Sequence, residues 1–217
     1  MNLFRITQLE KVEPMYERNI KPLIDIFFSI ILISILSVPV AIIALIISFN
    51  YKENPFYIAV RAGKHEKNFL IFKLKTMRTI YGENGQLLDD SQRITKLGEI
   101  LRKLSIDELP QLLNIAKGDM SFIGPRPLTD EYIPLYTDNE KSRLNVKPGI
   151  SGWAQVNGRN LINWDKKFKL DQYYVENISF FLDVKILFLT LVKVITQEGV
   201  KEDGYVNTKR FTGKKDK

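Results

Sequence analysis

The pattern of hydrophobic and polar positions is dominated by a long apolar run near the N-terminus. Within residues 23–49, Asp25 is the one charged side chain. Folded as a straight helix, the run would be about 40 Å long at about 1.5 Å per residue, whereas the hydrocarbon core of a bilayer is about 30 Å thick. It is too long for a signal peptide and has no obvious small-residue cleavage site. We therefore predict a membrane helix over residues 20–50.

Two features of this helix bear on how it meets the membrane. Pro39 removes a hydrogen bond from the helix interior at a cost of about 3 kcal/mol, and Ser37 can donate to a freed carbonyl. Basic residues flank both ends, so the positive-inside rule gives no clear orientation for a span. The pattern fits a re-entrant segment that bends at Ser37 and Pro39 and leaves on the same face. It fits a kinked spanning helix equally well.

The remainder of the chain has the shorter periods of a small mixed domain. We take residues 1–19 as an N-terminal extension and residues 51–217 as one domain that follows the membrane helix. Residues 56–60 and 69–74 have strand-like patterns separated by a turn that contains Gly63. The predicted fold class is therefore α/β and helix-rich.

Two amphipathic helices are expected in this domain. The first carries an apolar stripe opposite a basic face, which suits either an anionic membrane surface or an ordinary solvated surface. The second covers residues 178–197, where charged residues interrupt the apolar stripe too often for a membrane span. The stripe of the first helix is Ile94, Leu97, Leu101 and Leu104; that of the second is Phe181, Val184, Phe188, Val192 and Ile195.

Composition narrows the chemistry that the domain can perform. The chain has a net charge of +7, no cysteine and a single histidine, His65. Disulfides, cysteine-ligated zinc, iron–sulfur clusters and multi-histidine metal sites are thus excluded. Any metal should be a hard ion held by oxygen, with Mg²⁺ as the first choice. The positive charge suits anionic lipid or a phosphorylated substrate, and the apolar run makes both more plausible partners than nucleic acid.

The strongest candidate for catalysis is the adjacent carboxylate pair Asp107 and Glu108, which follows a basic run. One carboxylate can attack phosphorus while the other holds Mg²⁺, or both can bind the ion. A structural alternative is a capping box, because Ser105 precedes Glu108 by three residues. Taken alone, the pattern favours the cap. The two interpretations are compatible, since a helix N-terminus also attracts phosphate.

Two further segments carry polar residues in constrained backbone. Arg126 lies between two prolines, an arrangement that can hold its guanidinium for bidentate phosphate binding or simply form a rigid turn. Residues 147–159 combine tight turns with Trp153 and with the polar side chains Gln155, Asn157 and Arg159. Such a loop can line a sugar or base pocket, and it can equally be a hairpin with Trp153 in the core.

Taken together, three long stretches resemble the monotopic phosphoglycosyl transferases, the bacterial sugar transferase family. They are FLIFKLKTM (69–77), LRKLSIDELPQLLNIAKGDMSFIGPRP (101–127) and VKPGISGWAQVNGRN (146–160). The similarity runs over nearly the whole chain. Residues 163–194 are most similar to the small one-domain members that start bacterial N-linked protein glycosylation. The resemblance implies a re-entrant helix broken near Ser37 and Pro39. It also implies that residues 51–217 are a cytoplasmic catalytic domain, which lies on the cytoplasmic face of the bacterial inner membrane.

The resemblance also implies the reaction and its residues. A sugar 1-phosphate would pass from a UDP-sugar to undecaprenyl phosphate through an aspartyl intermediate, with release of UMP. The implied sugar donor is UDP-N,N′-diacetylbacillosamine or a UDP-N-acetylhexosamine. Asp107 matches the nucleophile and Glu108 the Mg²⁺-coordinating partner. Further matching positions bind phosphates, namely Lys73, Arg102 and Arg126, or add an acidic group, namely Asp183. A non-catalytic membrane adaptor of a glycan-assembly complex is the alternative.

Overall fold

The computed structural model describes residues 15–158, 162–196 and 210–213. These residues form a helix-rich mixed α/β domain behind one long apolar helix, which confirms the predicted fold class at this level. Of the predicted extension over residues 1–19, residues 1–14 lie outside the described part. The described α-helices are α1 (Lys21–Tyr51), α2 (Asp90–Arg93), α3 (Lys96–Lys103), α4 (Leu112–Lys117), α5 (Asp138–Lys141), α6 (Trp153–Val156), α7 (Trp164–Glu176) and α8 (Phe180–Ile195). The described strands are β1 (Phe56–Ala62), β2 (Asn68–Leu74), β3 (Ser121–Ile123) and β4 (Gly149–Ser151), and 3₁₀ turns cover Lys64–Glu66, Ile106–Gln111, Asp130–Leu135 and Ser142–Asn145.

The predicted pair of strands is confirmed as an antiparallel hairpin of β1 and β2, in which Tyr57 lies opposite Lys73. Gly63 closes the hairpin. A Cβ atom at this position would lie 2.6 Å from the carbonyl oxygen of Lys67, so the turn requires the absence of a side chain. Lys73 is the last residue but one of β2 and therefore lies near the open end of the hairpin.

Helix α3 confirms the first predicted amphipathic helix. The Thr95 hydroxyl caps its start by accepting from the Gly98 amide at 3.0 Å. Gly98 packs directly on the backbone of Thr76, since a Cβ atom there would lie 1.9 Å from the Thr76 carbonyl oxygen. Leu101 is buried against α1. Ile94 lies before the helix, in an isolated bridge with Met77, so the stripe extends one turn less than its spacing indicated.

Strand β4 corrects the hairpin interpretation of residues 147–159. Residues Gly149–Ser151 pair in parallel with β3, and the chain then continues into the short helix α6. Trp153 stacks on Tyr173 of α7, with ring centroids 5.7 Å apart. The backbone around β3 and the backbone around β4 approach each other very closely. This approach requires Gly124, Gly149 and Gly152, where a Cβ atom would clash with the neighbouring backbone.

Helix α1 is held against the domain along one face. A π-helical turn, Tyr16–Ile20, leads into it, and the resulting 36-residue helix is long and apolar enough to cross a membrane. Its buried positions recur at helical spacing near the start of the helix and again near its end, whereas many of its large apolar side chains are exposed. The buried positions are Lys21, Asp25, Ser29, Ala44, Ile47 and Tyr51.

The helix passes through Ser37 and Pro39 without interruption. Ser37 donates at 3.4 Å to the carbonyl of Ser34, whereas the carbonyl that Pro39 leaves unbonded is that of Ile35. Ser37 therefore does not bond the freed carbonyl. The re-entrant bend at this position stays a prediction.

Helix α8 confirms the second predicted helix, but its apolar stripe faces outward. Phe181 is 83% exposed and Ile195 is 80% exposed, whereas Asp183 and Ile186 face the domain. The hydroxyl of Ser179 caps its first turn. The exposed apolar side chains of this stripe and of α1 are those expected of a protein that associates with a membrane.

Candidate active site

Asp107 and Glu108 lie in the 3₁₀ turn Ile106–Gln111, directly after α3. Ser105 ends α3 by adopting a left-handed conformation with φ 56° and ψ 22°. Its side chain makes no capping bond, and the Glu108 carboxylate binds side chains instead of the Ser105 backbone. The capping-box interpretation of this motif is therefore wrong. The tight turn instead directs both carboxylates towards the β1–β2 hairpin and the Arg126 segment.

Two cations converge on a single oxygen atom of Glu108. Lys73 Nζ donates to Oε1 at 2.6 Å, and Arg126 Nη2 donates to the same atom at 2.7 Å. The Glu108 side chain is nearly buried, whereas 43% of the Arg126 side chain remains exposed. The structure thus brings together three predicted site residues from strand β2, the 3₁₀ turn and the loop after β3.

Arg102 completes the group of cations around the carboxylate pair. Its Nε donates to the Thr76 hydroxyl at 2.8 Å, which holds the side chain on the hairpin side of α3. The positive charge of Arg102 also acts on Asp107, where it opposes the effects that raise the pKa of that carboxyl group. The predicted phosphate-binding residues Lys73, Arg102 and Arg126 therefore surround Asp107 and Glu108.

Asp107 differs from its neighbour because no described residue donates a hydrogen bond to its side chain. It is buried, and burial followed by repulsion from Glu108 raises the pKa of Asp107 to about 6, although Lys73, Arg126 and Arg102 act against this rise. A carboxylate without hydrogen bonds keeps its lone pairs available for attack on an electrophile. This arrangement suits a nucleophile.

Glu108 has the opposite electrostatic environment. Burial acts to raise the pKa of Glu108, but the bonded cations Arg126 and Lys73 outweigh burial and hold it well below the usual range. Glu108 is consequently charged throughout the physiological range. The pair thus consists of one permanently charged carboxylate that holds two cations and one carboxylate that titrates near neutrality.

A buried ion pair supports Arg126 from behind. Arg143 Nη2 donates to the Arg126 carbonyl at 2.6 Å, and its Nε donates to Asp171 at 3.1 Å. The side chain of Lys167, on the same face of α7 as Asp171, is also buried. Burial, followed by repulsion from Arg126, lowers the pKa of Lys167 to about 8. Sequence reasoning missed these three residues because each is an ordinary charged residue to which no motif assigned a role, although Lys167 and Asp171 lie within the similar stretch of residues 163–194.

The polar residues predicted near Trp153 have different positions. The Gln155 side-chain amide is buried, and neither of its polar atoms meets a hydrogen-bond partner among the described residues. Asn157 is exposed and donates to the Trp153 carbonyl at 2.8 Å, which caps its own short helix. Arg159 lies outside the described residues. Of these three candidates, Gln155 is therefore the one with unused hydrogen-bonding capacity in a buried place.

Asp183 belongs to a second buried cluster, at the start of α1. Its Oδ2 accepts from Lys21 Nζ at 2.6 Å and from the Tyr16 hydroxyl at 2.8 Å. Its Oδ1 accepts from the Tyr174 hydroxyl at 2.8 Å. These bonds join α8 and α7 to the membrane helix. Asp183 makes no hydrogen bond with Asp107, Glu108 or the cations around them.

The carboxylate pair is also the part of the site whose chemistry suits Mg²⁺. The described residues contain no group of three or more His, Cys, Asp or Glu side chains able to hold a metal. However, Mg²⁺ in phosphate-binding sites is held by one or two carboxylates together with substrate phosphates and water. Both cations bind Oε1 of Glu108, which leaves its second oxygen outside this pairing. Asp107 and Glu108 therefore meet the protein's share of such a site.

Comparison with known proteins places these observations in a family. The profile of the family "Bacterial sugar transferase" matches residues 16–197. The chain is 49% identical to the uncharacterized sugar transferase EpsL of Bacillus subtilis over 197 residues, which is 91% of the chain and 98% of that relative. It is 37% identical over 194 residues to UDP-N-acetylgalactosamine-undecaprenyl-phosphate N-acetylgalactosaminephosphotransferase of Aeromonas hydrophila, with 84% of the chain and 45% of the relative covered.

A third relative is undecaprenyl-phosphate glucose phosphotransferase of Komagataeibacter xylinus, 33% identical over 212 residues, with 88% of the chain and 39% of the relative covered. The chain thus spans nearly all of the Bacillus relative but less than half of the other two. Both the matched profile and the extent of these similarities lead to one conclusion. The chain belongs to the bacterial sugar transferase family.

Proposed function

We propose that this protein is a phosphoglycosyl transferase that moves a sugar 1-phosphate from a UDP-sugar to undecaprenyl phosphate. The observation that carries the proposal is the unequal carboxylate pair. Lys73 and Arg126 bind Glu108, whereas Asp107 accepts no hydrogen bond from a described residue. Relatives named undecaprenyl-phosphate phosphotransferases support this class of reaction.

In the first proposed step, a carboxylate oxygen of Asp107 attacks the β-phosphorus of the UDP-sugar. A new P–O bond forms to Asp107, and the bond from the β-phosphorus to the bridging oxygen breaks. UMP leaves with that oxygen and its electron pair. Asp107 then carries the sugar 1-phosphate as a mixed anhydride. Lys73, Arg102 and Arg126 surround this position and would neutralise the negative charge that phosphoryl transfer concentrates there.

In the second proposed step, a phosphate oxygen of undecaprenyl phosphate attacks the same phosphorus. The bond between phosphorus and the Asp107 oxygen breaks, which restores the carboxylate and releases a polyprenyl diphosphate sugar. The two half-reactions use one acidic site in turn, so they predict ping-pong kinetics. Because Asp107 must be ionised to attack, its raised pKa also links the first step to pH.

Mg²⁺ is part of the proposal. Asp107 and Glu108 are the residues that would hold it, and the ion would supply charge neutralisation at the diphosphate. The permanent charge of Glu108 suits this role. Removal of divalent ions with EDTA should abolish UMP release, and addition of Mg²⁺ should restore it. EDTA-treated protein that keeps full turnover would exclude the ion from the reaction.

The proposed placement is monotopic, on the cytoplasmic face of the bacterial inner membrane. Helix α1 contacts the domain from Lys21, which binds Asp183, to Tyr51, whose hydroxyl lies 2.5 Å from that of Thr95. A helix fastened to one domain at both ends is difficult to place with its ends on opposite sides of a bilayer. This contact supports a helix that enters and leaves on the same face. A bend at Ser37 and Pro39 would complete that geometry.

The sugar is the most specific element of the proposal. The similarity of residues 163–194 to initiating enzymes of protein glycosylation points to UDP-N,N′-diacetylbacillosamine or a UDP-N-acetylhexosamine. The names of two relatives mention N-acetylgalactosamine and glucose. A panel of UDP-N,N′-diacetylbacillosamine, UDP-N-acetylgalactosamine as the N-acetylhexosamine, and UDP-glucose should therefore be compared in one assay.

The test is UMP release by the full chain in detergent with undecaprenyl phosphate, Mg²⁺ and each UDP-sugar. Without undecaprenyl phosphate, the preferred donor should give at most one UMP per enzyme, together with an adduct of one sugar phosphate in the intact mass. Asp89→Asn is the matched control, because Asp89 is exposed and its side chain makes no capping bond. It should retain full turnover.

The alternative, a non-catalytic membrane adaptor, makes opposite predictions. It requires no turnover with any member of the panel, and it tolerates Asp107→Ala. The presence of two carboxylates among three cations argues against an adaptor, because membrane attachment alone does not need buried charges. Absence of UMP release with the whole panel, in protein that is folded and loaded with Mg²⁺, would favour it.

A further inference from the structure

A polar cavity lies beside the start of α1, away from the carboxylate pair. It has a volume of about 290 Å³. The first turns of α1, the turn after β1, strand β3, the segment before β4 and the end of α7 all contribute to its wall. None of Lys73, Arg102, Asp107, Glu108 and Arg126 lines it. The cavity is therefore separate from the site that we propose for transfer.

Positive charge predominates in the wall of this cavity. Its cations are Arg18, Lys21, Lys64 and Lys147, and its carboxylates are Glu17 and Asp25. Lys21 is bonded to Asp183 at 2.6 Å and lies 4.0 Å from Asp25, and Lys64 lies 3.9 Å from Glu17. Two of the four cations thus have carboxylate partners. The charge that remains is carried by Lys147 and Arg18.

Lys147 is the most informative residue of the cavity. It is half-buried, and its ammonium group has no hydrogen bond or ion pair among the described residues. Burial lowers the pKa of Lys147, and the nearby charges of Lys64 and Lys21 add to this effect although Asp25 and Asp119 oppose it. A bound anion would supply the acceptor that no described residue offers to this half-buried ammonium group. Arg18 likewise has no partner among the described residues.

Exposed apolar side chains on the elements around the cavity bear on the source of a bound anion. Ile20, at the end of the π-helical turn, and Leu23, in the first turn of α1, are exposed apolar side chains that do not line the cavity. Phe180, at the start of α8, contacts Tyr16 and is half exposed beside the fully exposed Phe181. Exposed apolar side chains and cations on the same elements of a protein are expected where it meets the phosphate layer of a membrane.

We infer that this cavity is a binding site for a phosphate group, with Lys147 and Arg18 as its principal ligands. The inference is independent of the proposed transferase activity. It rests on the volume of the cavity, the excess of cations in its wall and the two cations without partners. The phosphate group could belong to a lipid headgroup or to free phosphate, and the two sources can be separated by experiment.

The experiment measures binding of four soluble probes to the full chain in non-ionic detergent at constant ionic strength. The probes are inorganic phosphate, dihexanoyl phosphatidic acid, dihexanoyl phosphatidylglycerol and dihexanoyl phosphatidylcholine. Anionic probes should bind saturably and raise the unfolding temperature, whereas the zwitterionic lipid should do neither. Binding of inorganic phosphate would identify the free ion as a sufficient ligand. Binding of the anionic lipids alone would identify a headgroup.

The variants test whether binding occurs in this cavity. Lys147→Met should weaken binding of the anionic probe by about tenfold or more, because it removes a charge-assisted hydrogen bond. Lys147→Arg should retain binding, and so should Lys169→Met, which removes a charge from an exposed position of α7. Wild-type affinity in Lys147→Met would overturn the inference, as would the absence of binding by every anionic probe. Should Lys147→Met not fold, Arg18→Gln replaces it at an exposed position, and wild-type affinity in that variant would overturn the inference equally.

Discussion

The protein contains two clusters in which lysine binds an acidic side chain at the same distance, yet the clusters are built differently. In the first cluster Lys73 binds Glu108 at 2.6 Å, and in the second cluster Lys21 binds Asp183 at 2.6 Å. In the second cluster, both carboxylate oxygens of Asp183 accept hydrogen bonds, from Lys21, Tyr16 and Tyr174. In the first cluster, Asp107 beside Glu108 accepts none from a described residue.

This difference separates a cluster whose carboxylate is fully bonded from the cluster that we propose for the reaction. A buried carboxylate with every oxygen bonded is stabilised in its charged state and connects the elements that supply its donors. A buried carboxylate without donors is destabilised, and its reactivity is higher for the same reason. We infer that the Asp183 cluster fastens α1 to the domain, whereas Asp107 is kept reactive. The following experiments test this contrast.

Asp107→Asn should have the largest effect on activity. Loss of the nucleophile should reduce UMP release by a factor of about 10³ or more and abolish the covalent adduct. The pKa of Asp107 is raised to about 6 in the folded state, so ionisation of this group destabilises the fold. Removal of the charge in Asp107→Asn should therefore not lower the free energy of unfolding at pH values above about 6. At pH 7 the unfolding temperature should thus be equal to or above that of wild type. Turnover close to wild type would remove Asp107 from the nucleophile role.

Asp183→Asn should have the largest effect on stability. It leaves the buried Lys21 ammonium group with Asp25, 4.0 Å away, as its carboxylate neighbour, so the cost should reach at most the roughly 3–5 kcal/mol typical of a broken buried pair. Thermal unfolding and hydrogen exchange at the start of α1 measure this loss. The double variant Lys21→Met, Asp183→Asn should recover part of it. If Asp183→Asn instead keeps its stability and loses turnover, the second cluster belongs to the reaction.

The pH dependence of UMP release should distinguish the two carboxylates of the site. Asp107 attacks only when ionised, so kcat/KM should fall about tenfold per pH unit below its pKa of about 6. In Glu108→Gln the repulsion that contributes to this raised value is lost, and the acidic limb should move to lower pH in the activity that remains. An acidic limb near pH 4 in the wild-type enzyme would show that Asp107 titrates as an ordinary carboxyl group.

Gln155→Met should have the smallest effect on stability. The replaced amide is buried and lacks partners among the described residues, so its loss should change the free energy of unfolding by less than about 1 kcal/mol. If the amide binds the UDP-sugar, KM for the donor should rise while kcat changes little. Asn157→Ala is the comparison, since Asn157 is exposed and bonds its own turn. Unchanged KM in Gln155→Met would exclude this amide from the substrate site.

Local patterns in the sequence predicted several elements well. The hairpin of β1 and β2, helix α3 from Lys96 and helix α8 all follow from apolar spacing and turn residues, because these depend on neighbours within a few positions. The capping-box interpretation of Ser105 and Glu108 was wrong for a related reason. The motif describes what a Glu side chain does in the absence of other partners, whereas Lys73 and Arg126 offer Glu108 stronger ones.

The sequence indicated which residues belong to the candidate site but not how these residues are arranged. Resemblance to the family indicated Lys73, Arg102 and Arg126, but not that two of them share one oxygen atom of Glu108. No local signal marks Arg143 and Asp171, which are 28 positions apart and support Arg126 from behind. Their pairing depends on how α7 packs beside the segment Ser142–Asn145, which a single sequence does not reveal.

By itself, the sequence determined that the chain has a long apolar helix, a short hairpin, two amphipathic helices and an acidic pair among basic residues. Tertiary structure decided which face of each helix meets protein. It turned the apolar stripe of α8 outward and brought Lys21 to Asp183, 162 positions away. The physical reason is that periodicity records which residues share a side, whereas burial and ion pairing depend on what that side meets after packing.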